Sequence, residues 1–227
     1  MLRILRITSA LLALALCFSL VLPACGEEED GYSESGGFFY LPDSGGTATL
    51  MGHEGKPVKL EVPPVLDGHP VTAVGDDAFN EYYDLKEITL PEGIVSIGAG
   101  AFSHCDNLAR ITIPEGVVSI GELAFGGCYS LKEITLPNSL VTIGDGAFGD
   151  CSGLERIEIP EGVVTIGEYP FIACTSLARV VLPASVASIG EDAFESCESL
   201  AEIIVVPGSF AEKYCLEHGL PCAYSNP

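Results

Sequence analysis

Cysteine is the residue type with the most chemical options in this chain, which contains nine of them. Zinc binding needs ligands at short spacing such as Cys-x₂-Cys, and no two cysteines are placed that way. Disulfides within the column below are possible in principle, but its odd number of members argues against them. We therefore interpret this column as small buried hydrophobic side chains. Five cysteines recur every 23 residues: Cys105, Cys128, Cys151, Cys174 and Cys197.

Two further cysteines, Cys215 and Cys222, flank a probable turn near the C-terminus. In an exported protein, such a pair is a candidate disulfide that would staple the end of the fold. Free thiols are the alternative.

Histidine and acidic residues give no catalytic or metal motif. His53, His69, His104 and His218 are scattered, and none has a Ser, Cys or carboxylate at a recognisable catalytic spacing. Acidic pairs such as Asp76-Asp77 lack the spaced Asp-x-Asp-x-Asp-Gly ligands of a calcium loop, so a solvated surface is the better interpretation. We expect no enzyme activity, no cofactor and no bound metal.

Charge excludes one class of partner. The chain has 32 acidic and 10 basic residues and a formal net charge of −22. Such a surface repels phosphate backbones, so we expect no binding to nucleic acid.

The first 24 residues predict a secretion signal. Arg3 and Arg6 precede an apolar run from Ile7 to Val21, which is too short to span a bilayer comfortably. Leu22-Pro23-Ala24-Cys25 resembles the lipobox of bacterial lipoproteins. This resemblance implies cleavage before Cys25, lipidation of its thiol, and anchoring to the outer face of the bacterial cell membrane or the cell surface. The alternatives are an ordinary secretory signal and an uncleaved anchor.

Residues 25–37 predict a flexible acidic tether after the lipidated cysteine. Glu27, Glu28, Glu29 and Asp30 repel one another, and the neighbouring glycines add conformational freedom.

A strict 23-residue repeat fills the middle of the chain, at 79–205. Such a period is the signature of a solenoid, because a single unit cannot bury its apolar face alone. Leu131 to Leu136 illustrates the unit: Ile134 and Leu136 alternate with polar neighbours and predict a short strand, and Pro137 opens a turn. A second extended stretch precedes Gly144, and Ala147-Phe148 predicts a short helical or 3₁₀ segment. Besides cysteine, the repeat conserves its spacing at Phe79, Phe102, Phe125, Phe148, Phe171 and Phe194, and at Leu85, Leu108, Leu131, Leu154, Leu177 and Leu200.

These motifs resemble the bacterial leucine-rich repeats of the BspA type, which occur in surface adhesins. The resemblance covers roughly Phe38 to Tyr224. It implies an α/β fold, a right-handed, slightly curved leucine-rich-repeat solenoid with the Leu-x-x-Ile-x-Leu strands on its concave face.

Caps are predicted at both ends. Residues 38–78 contain a hairpin around Gly45-Gly46 and a degenerate first repeat lengthened by an insertion at Leu66 to Pro70. Residues 206–227 contain a helix from about Phe210 to His218, with Ser209 as N-cap and Gly219 as the stop. An open solenoid needs such caps for solubility.

Outward positions on the predicted concave strands form two columns. The first mostly alternates in charge, which favours correct stacking and is an alternative to a binding role. The second changes from hydroxyl to aliphatic, and its end, Val181 and Ile204, either marks a contact site or is covered by the C-terminal cap. The columns are Glu87, Arg110, Glu133, Arg156, Arg179, Glu202 and Thr89, Thr112, Thr135, Glu158, Val181, Ile204.

The leading functional hypothesis is an exported, lipid-anchored monomer that binds an extracellular protein or cell-surface ligand through the concave face. The predicted partner-binding residues are Thr89, Arg110, Thr112, Glu133, Thr135, Arg156, Glu158, Arg179, Val181 and Ile204. The alternatives are a glycan-binding module that uses the hydroxyl ladder Ser96, Ser119, Thr142, Thr165 and Ser188, and a scaffold lipoprotein of the envelope.

Overall fold

A computed structural model describes residues 32–224, which form one compact unit. The predicted signal, Cys25 and the predicted tether up to Gly31 lie outside the described residues. Within residues 32–224, no helix is long and apolar enough to cross a membrane.

The N-terminal cap is an antiparallel meander of three strands, β1 (Ser33–Ser35), β2 (Phe38–Pro42) and β3 (Ala48–His53). The hairpin predicted around Gly45-Gly46 is confirmed. The tether predicted at residues 33–37 is wrong, because Gly36 and Gly37 have φ angles of +58° and +85° and form a tight turn between β1 and β2. Two successive positive φ angles suit the twist of a two-residue hairpin, so the glycines order this segment rather than loosen it.

The first repeat is completed by β4 (Lys59–Glu61), β5 (Val65–Leu66) and β6 (His69–Val74). The predicted insertion is a second small hairpin, in which β5 pairs with β6 across Asp67-Gly68. The Asp67 carboxylate accepts hydrogen bonds from the Ser35 hydroxyl at 2.7 Å and the Tyr40 hydroxyl at 3.0 Å. These bonds join the insertion to the cap.

Each following repeat adds one strand to each of two parallel arrays. The front array consists of β4, β7 (Glu87–Thr89), β9 (Arg110–Thr112), β12 (Arg156–Glu158), β14 (Arg179–Val181), β16 (Glu202–Val205) and β17 (Cys222–Tyr224). The back array consists of β6, β8 (Ser96–Ile97), β10 (Ser119–Ile120), β11 (Thr142–Ile143), β13 (Thr165–Ile166) and β15 (Ser188–Ile189). From β7 to β16 and from β8 to β15, each paired position lies one 23-residue period from its partner, so side chains of the same type stack in columns.

The front array is interrupted at its centre. The strand predicted at Leu131 to Leu136 is wrong, since this segment contributes only an isolated bridge between Thr112 and Thr135. Ile134 and Leu136 nevertheless remain buried. The front array is therefore divided into the sheets β4-β7-β9 and β12-β14-β16-β17.

The third side of each repeat is made of turns, so the short helical segment predicted at Ala147-Phe148 is also wrong. The reason lies in where the amide groups donate. Leu123, Phe125 and Gly127 donate their N–H groups to the next repeat, at 2.8 Å each, and the amides between them bond locally. A helix would spend all of these amides inside one segment.

The phenylalanines form one continuous stack through the core. Adjacent rings, from Phe79 to Phe194, have centroids 5.2–5.7 Å apart and lie within 11° of parallel. This spacing is typical of offset aromatic pairs, which stabilise by about 0.5–1.5 kcal/mol each beyond the burial of their area.

The C-terminal cap contains α1 (Phe210–Glu217). The predicted N-cap is confirmed, because the Ser209 hydroxyl accepts the Glu212 N–H at 3.1 Å. The Glu212 carboxylate in turn accepts the Gly208 N–H at 2.7 Å, which completes a reciprocal cap. The helix stops at the predicted place, with His218 as C-cap and a φ of +65° at Gly219. β17 then extends the front array by one strand.

A candidate interaction surface on the front array

The front face is the outward side of the front array, including the irregular segment at Glu133 to Leu136. The structure brings all ten predicted binding residues to this face. Thr89, Thr112, Thr135 and Glu158 are exposed, and Val181 and Ile204 are half-buried. Ile204 pairs side by side with Ala223 of β17, so the last strand lengthens the face instead of covering it.

The charged column of the front face forms ion pairs between repeats. Lys59, which the sequence comparison of columns missed, lies 2.7 Å from Glu87, and its ammonium group lowers the pKa of that carboxyl. Arg179 lies 3.3 Å from Glu202, and Arg156 pairs with Glu133. All of these side chains are largely exposed, so each pair contributes little to stability and mainly fixes the register. The first repeat could have revealed Lys59, because Leu60-Glu61-Val62-Pro63 already repeats the strand motif.

The alternation fails at one point. Arg156 and Arg179 are directly paired positions on β12 and β14 and carry the same charge. Like charges in register oppose strand pairing, so the column does not maximise stability here.

A groove lies on the C-terminal half of the front face and has a volume of about 790 Å³. It begins at the irregular segment around Glu133, which leaves space where a regular strand would stand. Val181, Pro183, Ile204 and Val206 supply apolar surface. The polar part of its lining includes Glu133, Thr135, Asn138, Arg156, Glu158 and Glu161.

Cations concentrate on this face. Six of the eight Lys and Arg residues within residues 32–224 lie on the front array or directly before a front segment, whereas most acidic residues lie elsewhere. The front face is therefore close to charge balance on a strongly acidic protein. The six are Lys59, Lys86, Arg110, Lys132, Arg156 and Arg179.

A ladder of exposed valines on the back array was missed in the sequence. Val95, Val118, Val141 and Val164 are 40–47% exposed, each one residue before a member of the hydroxyl ladder. The signal was present, because the second extended stretch contains two adjacent apolar residues and only one can face the core.

The cysteine column is confirmed as structural. Each thiol donates a hydrogen bond to the carbonyl of the phenylalanine in the preceding repeat, at 3.1–3.2 Å, for example from Cys151 to Phe125. In the first repeat, Tyr82 replaces cysteine, and its hydroxyl donates to the His53 carbonyl at 2.8 Å. The same column thus joins the cap to the repeats.

Burial makes these thiols poor acids. It raises the pKa of Cys105 and Cys151 to about 12 and that of Cys197 to about 11, and it also raises the pKa values of Cys128 and Cys174. Only the thiolate is nucleophilic, so this column cannot supply a catalytic nucleophile near neutral pH.

An alkaline loss of stability is expected from this column. The folded pKa values lie above the reference value of 9.0, so the folded state holds protons that the unfolded state releases between pH 9 and about 11. Each thiol should then lower the free energy of unfolding by about 1.4 kcal/mol per pH unit in that window. Urea unfolding from pH 8 to 11 measures the slope. Cys151→Ala should remove one thiol's share of the slope, and an unchanged slope would contradict this origin.

Other candidate chemistry does not assemble. Within residues 32–224, no group of three or more His, Cys, Asp or Glu side chains is placed to hold a metal ion. His53 and His69 pack against the aromatic rings of Phe38 and Tyr40, and His218 stacks on Tyr214. The Asp76 carboxylate accepts the Ala99 N–H of the next repeat at 2.8 Å, so this acidic residue is a structural tie rather than a calcium ligand.

The two arrays, the turns that close each 23-residue unit and the buried columns define a leucine-rich-repeat solenoid, a fold that typically serves as a scaffold for interactions. The family model of the BspA type leucine-rich repeat region matches residues 71–209 in six copies, and the chain belongs to this family.

Solved structures of bacterial leucine-rich repeat proteins are similar to this chain. A leucine-rich repeat protein from Bacteroides ovatus is 32% identical with a TM-score of 0.69, and the match covers 83% of this chain and 49% of that one. This chain thus spans about half the length of that protein. A leucine-rich repeat protein from T. pallidum is 29% identical with a TM-score of 0.74, covering 86% of this chain and 99% of its own. The pneumococcal vaccine antigen PcpA, at 23% identity and a TM-score of 0.58 over 78% of this chain and 50% of its own, shares the fold. No curated protein matches the sequence significantly.

Proposed function

We propose that this protein is an exported, lipid-anchored bacterial surface protein that binds an extracellular protein through the groove on its front face. The observation that carries the proposal is the groove itself, in which apolar surface from Val181 and Ile204 lies beside unpaired hydrogen-bonding groups. Contact sites commonly combine an apolar centre with a polar rim.

Electrostatics supports the same face. Most of the surface is acidic and opposes the approach of other acidic surfaces, whereas the front face is nearly balanced in charge. A protein partner therefore meets the least long-range repulsion there. The Arg156–Arg179 pair gives up strand-pairing energy at the groove, which fits selection for a contact rather than for stability.

Binding should depend on the groove. The full-length chain is tested for saturable binding to immobilised extracellular matrix proteins and to whole cells. A Val181→Glu, Ile204→Glu double variant should weaken binding at least about tenfold, because two buried contacts of this kind are typical of hot spots. The fold should survive, since both side chains are only half-buried.

Val118→Glu with Val141→Glu is the matched control. It places the same charges on exposed valines of the back array and should leave protein binding unchanged. Equal loss in both double variants, or no loss in either, would contradict a binding site at the groove.

The alternative function is glycan binding by the back array. Its hydroxyl ladder is in register, so Ser119 and Thr142 present hydroxyls at regular intervals beside the exposed valines. Binding to a glycan array that is lost in the back-array variant and kept in the front-face variant would favour this function.

Membrane attachment is proposed to depend on Cys25. Replacing it with alanine removes the thiol that would carry the lipid, so the protein should leave the membrane fraction of the expressing bacterium. Retention of the Cys25→Ala variant in membranes would contradict the lipid anchor.

A further inference from the structure

The C-terminal cap contains a second arrangement of cysteines that differs from the buried column. Cys215 is buried on α1, and Cys222 is half-buried at the start of β17. The Leu220 N–H donates to the Cys215 carbonyl at 2.9 Å, so the chain turns back between them. The two side chains are hydrogen-bonded to each other. We infer that Cys215 and Cys222 form a redox-sensitive dithiol site that closes to a disulfide and locks the C-terminal cap.

Accessibility distinguishes this pair from the column. The thiols from Cys105 to Cys174 are buried, and every column thiol is occupied as a donor to a phenylalanine carbonyl. Cys197 is half-buried but makes the same bond. Cys222 instead combines partial exposure with a neighbouring buried thiol, which is the combination needed for attack by an oxidant followed by closure.

The reaction balances with a protein disulfide as the oxidant, as an oxidised dithiol protein outside the cell would supply. The Cys222 thiol loses its proton to water, and its sulfur attacks the oxidant and releases one thiolate. Cys215 then loses its proton, attacks Cys222 Sγ and releases the second thiolate. The pair thereby loses two protons and two electrons, and the oxidant becomes two thiols.

The disulfide would act on the edge of the groove. β17 is the last strand of the front array and is held on one side only, by β16. Its Ala223 lies beside Ile204, which lines the groove. Joining β17 to α1 covalently would prevent this strand from fraying away from the sheet. The inference concerns the cap itself and does not depend on the proposed partner.

The test uses the full-length chain in detergent, treated with oxidised glutathione or with dithiothreitol. Trypsin cleaves after Lys213 and leaves both cysteines on one peptide, which should be lighter by two hydrogens after oxidation. Proteolysis after Glu217 separates the cysteines, and the fragments should stay joined until reduced. Oxidation should raise Tm by about 5 °C.

Two variants make the result decisive. Cys222→Ser should abolish the joined fragments and the rise in Tm, whereas Cys197→Ser, at a half-buried member of the column, should keep both. Glutathione attached to Cys222 beside a free Cys215 would overturn the inference, because the second attack would then be geometrically blocked. Two thiols that stay free under oxidation would also overturn it.

Discussion

Phe125→Ala is expected to lower the free energy of unfolding by about 3–5 kcal/mol. Phe125 is fully buried, and its ring stacks on Phe102 at 5.2 Å and on Phe148 at 5.4 Å. The substitution removes the contacts of both interfaces at once and leaves a cavity at the centre of the solenoid. In a stack where each repeat touches only its neighbours, a central defect should also uncouple the two halves. Urea unfolding followed by circular dichroism should then show two transitions in place of one.

Phe194→Ala is the matched control for this prediction. Phe194 ends the stack, has one aromatic neighbour at 5.5 Å and is slightly exposed. Its loss should cost about half as much and leave a single transition. A cost equal to that of Phe125→Ala would show that the stacked interfaces are not the source of the effect.

Gly144→Ala is expected to cost about 3 kcal/mol, although it adds a single methyl group. A Cβ at this position would lie 2.6 Å from the Gly121 carbonyl carbon and 2.7 Å from the Glu122 nitrogen. Both atoms belong to the backbone of the preceding repeat, so neither can rotate away, and the two repeats must separate. The same glycine recurs in each repeat with backbone atoms equally close, for example at Gly98 and Gly121.

Gly126→Ala tests whether crowding is the cause. Gly126 belongs to the neighbouring repeat, but the nearest atoms to its added Cβ are 3.4 Å away, which is ordinary contact. Its φ angle is not in the positive range, so alanine is unstrained there. The variant should change stability by less than about 1 kcal/mol. Thermal unfolding of both variants beside the parent protein measures the difference.

The repeat period was the part of the fold that the sequence could predict in full. Phenylalanine, leucine and cysteine are core residues at fixed spacing, and stacking such units leaves no other place for them. The meaning of Gly144 was harder to predict, because a glycine before a turn suggests an unusual backbone angle. Its φ is ordinary, and its role is the close approach of two backbones, which depends on atoms 23 residues away in the chain.

The errors share one cause, which is competition for backbone amides. Ala147-Phe148 has the residues of a short helix, but the amides on this side bond to the next repeat. Ser33 to Gly37 has the composition of a flexible linker, yet the strand Phe38–Pro42 offers it a partner. The candidate binding columns were predictable because alternation along a strand sets which side chains point outward. The groove was not, since it requires the missing strand at Glu133, whose residue types match those of the regular strands.

The alternating charges on the front face bear on how such a protein can change length over evolutionary time. The core columns tolerate deletion of any one repeat, because the flanking repeats present the same residues to each other. The charged column does not treat all deletions alike. Loss of the repeat that carries Glu133 would place Arg110 beside Arg156, whereas loss of the repeat that carries Arg156 would place Glu133 beside Arg179. Recombination between equivalent codons is thus neutral for the interior and selected at the surface, which sets the repeat numbers that descendants of this gene can adopt.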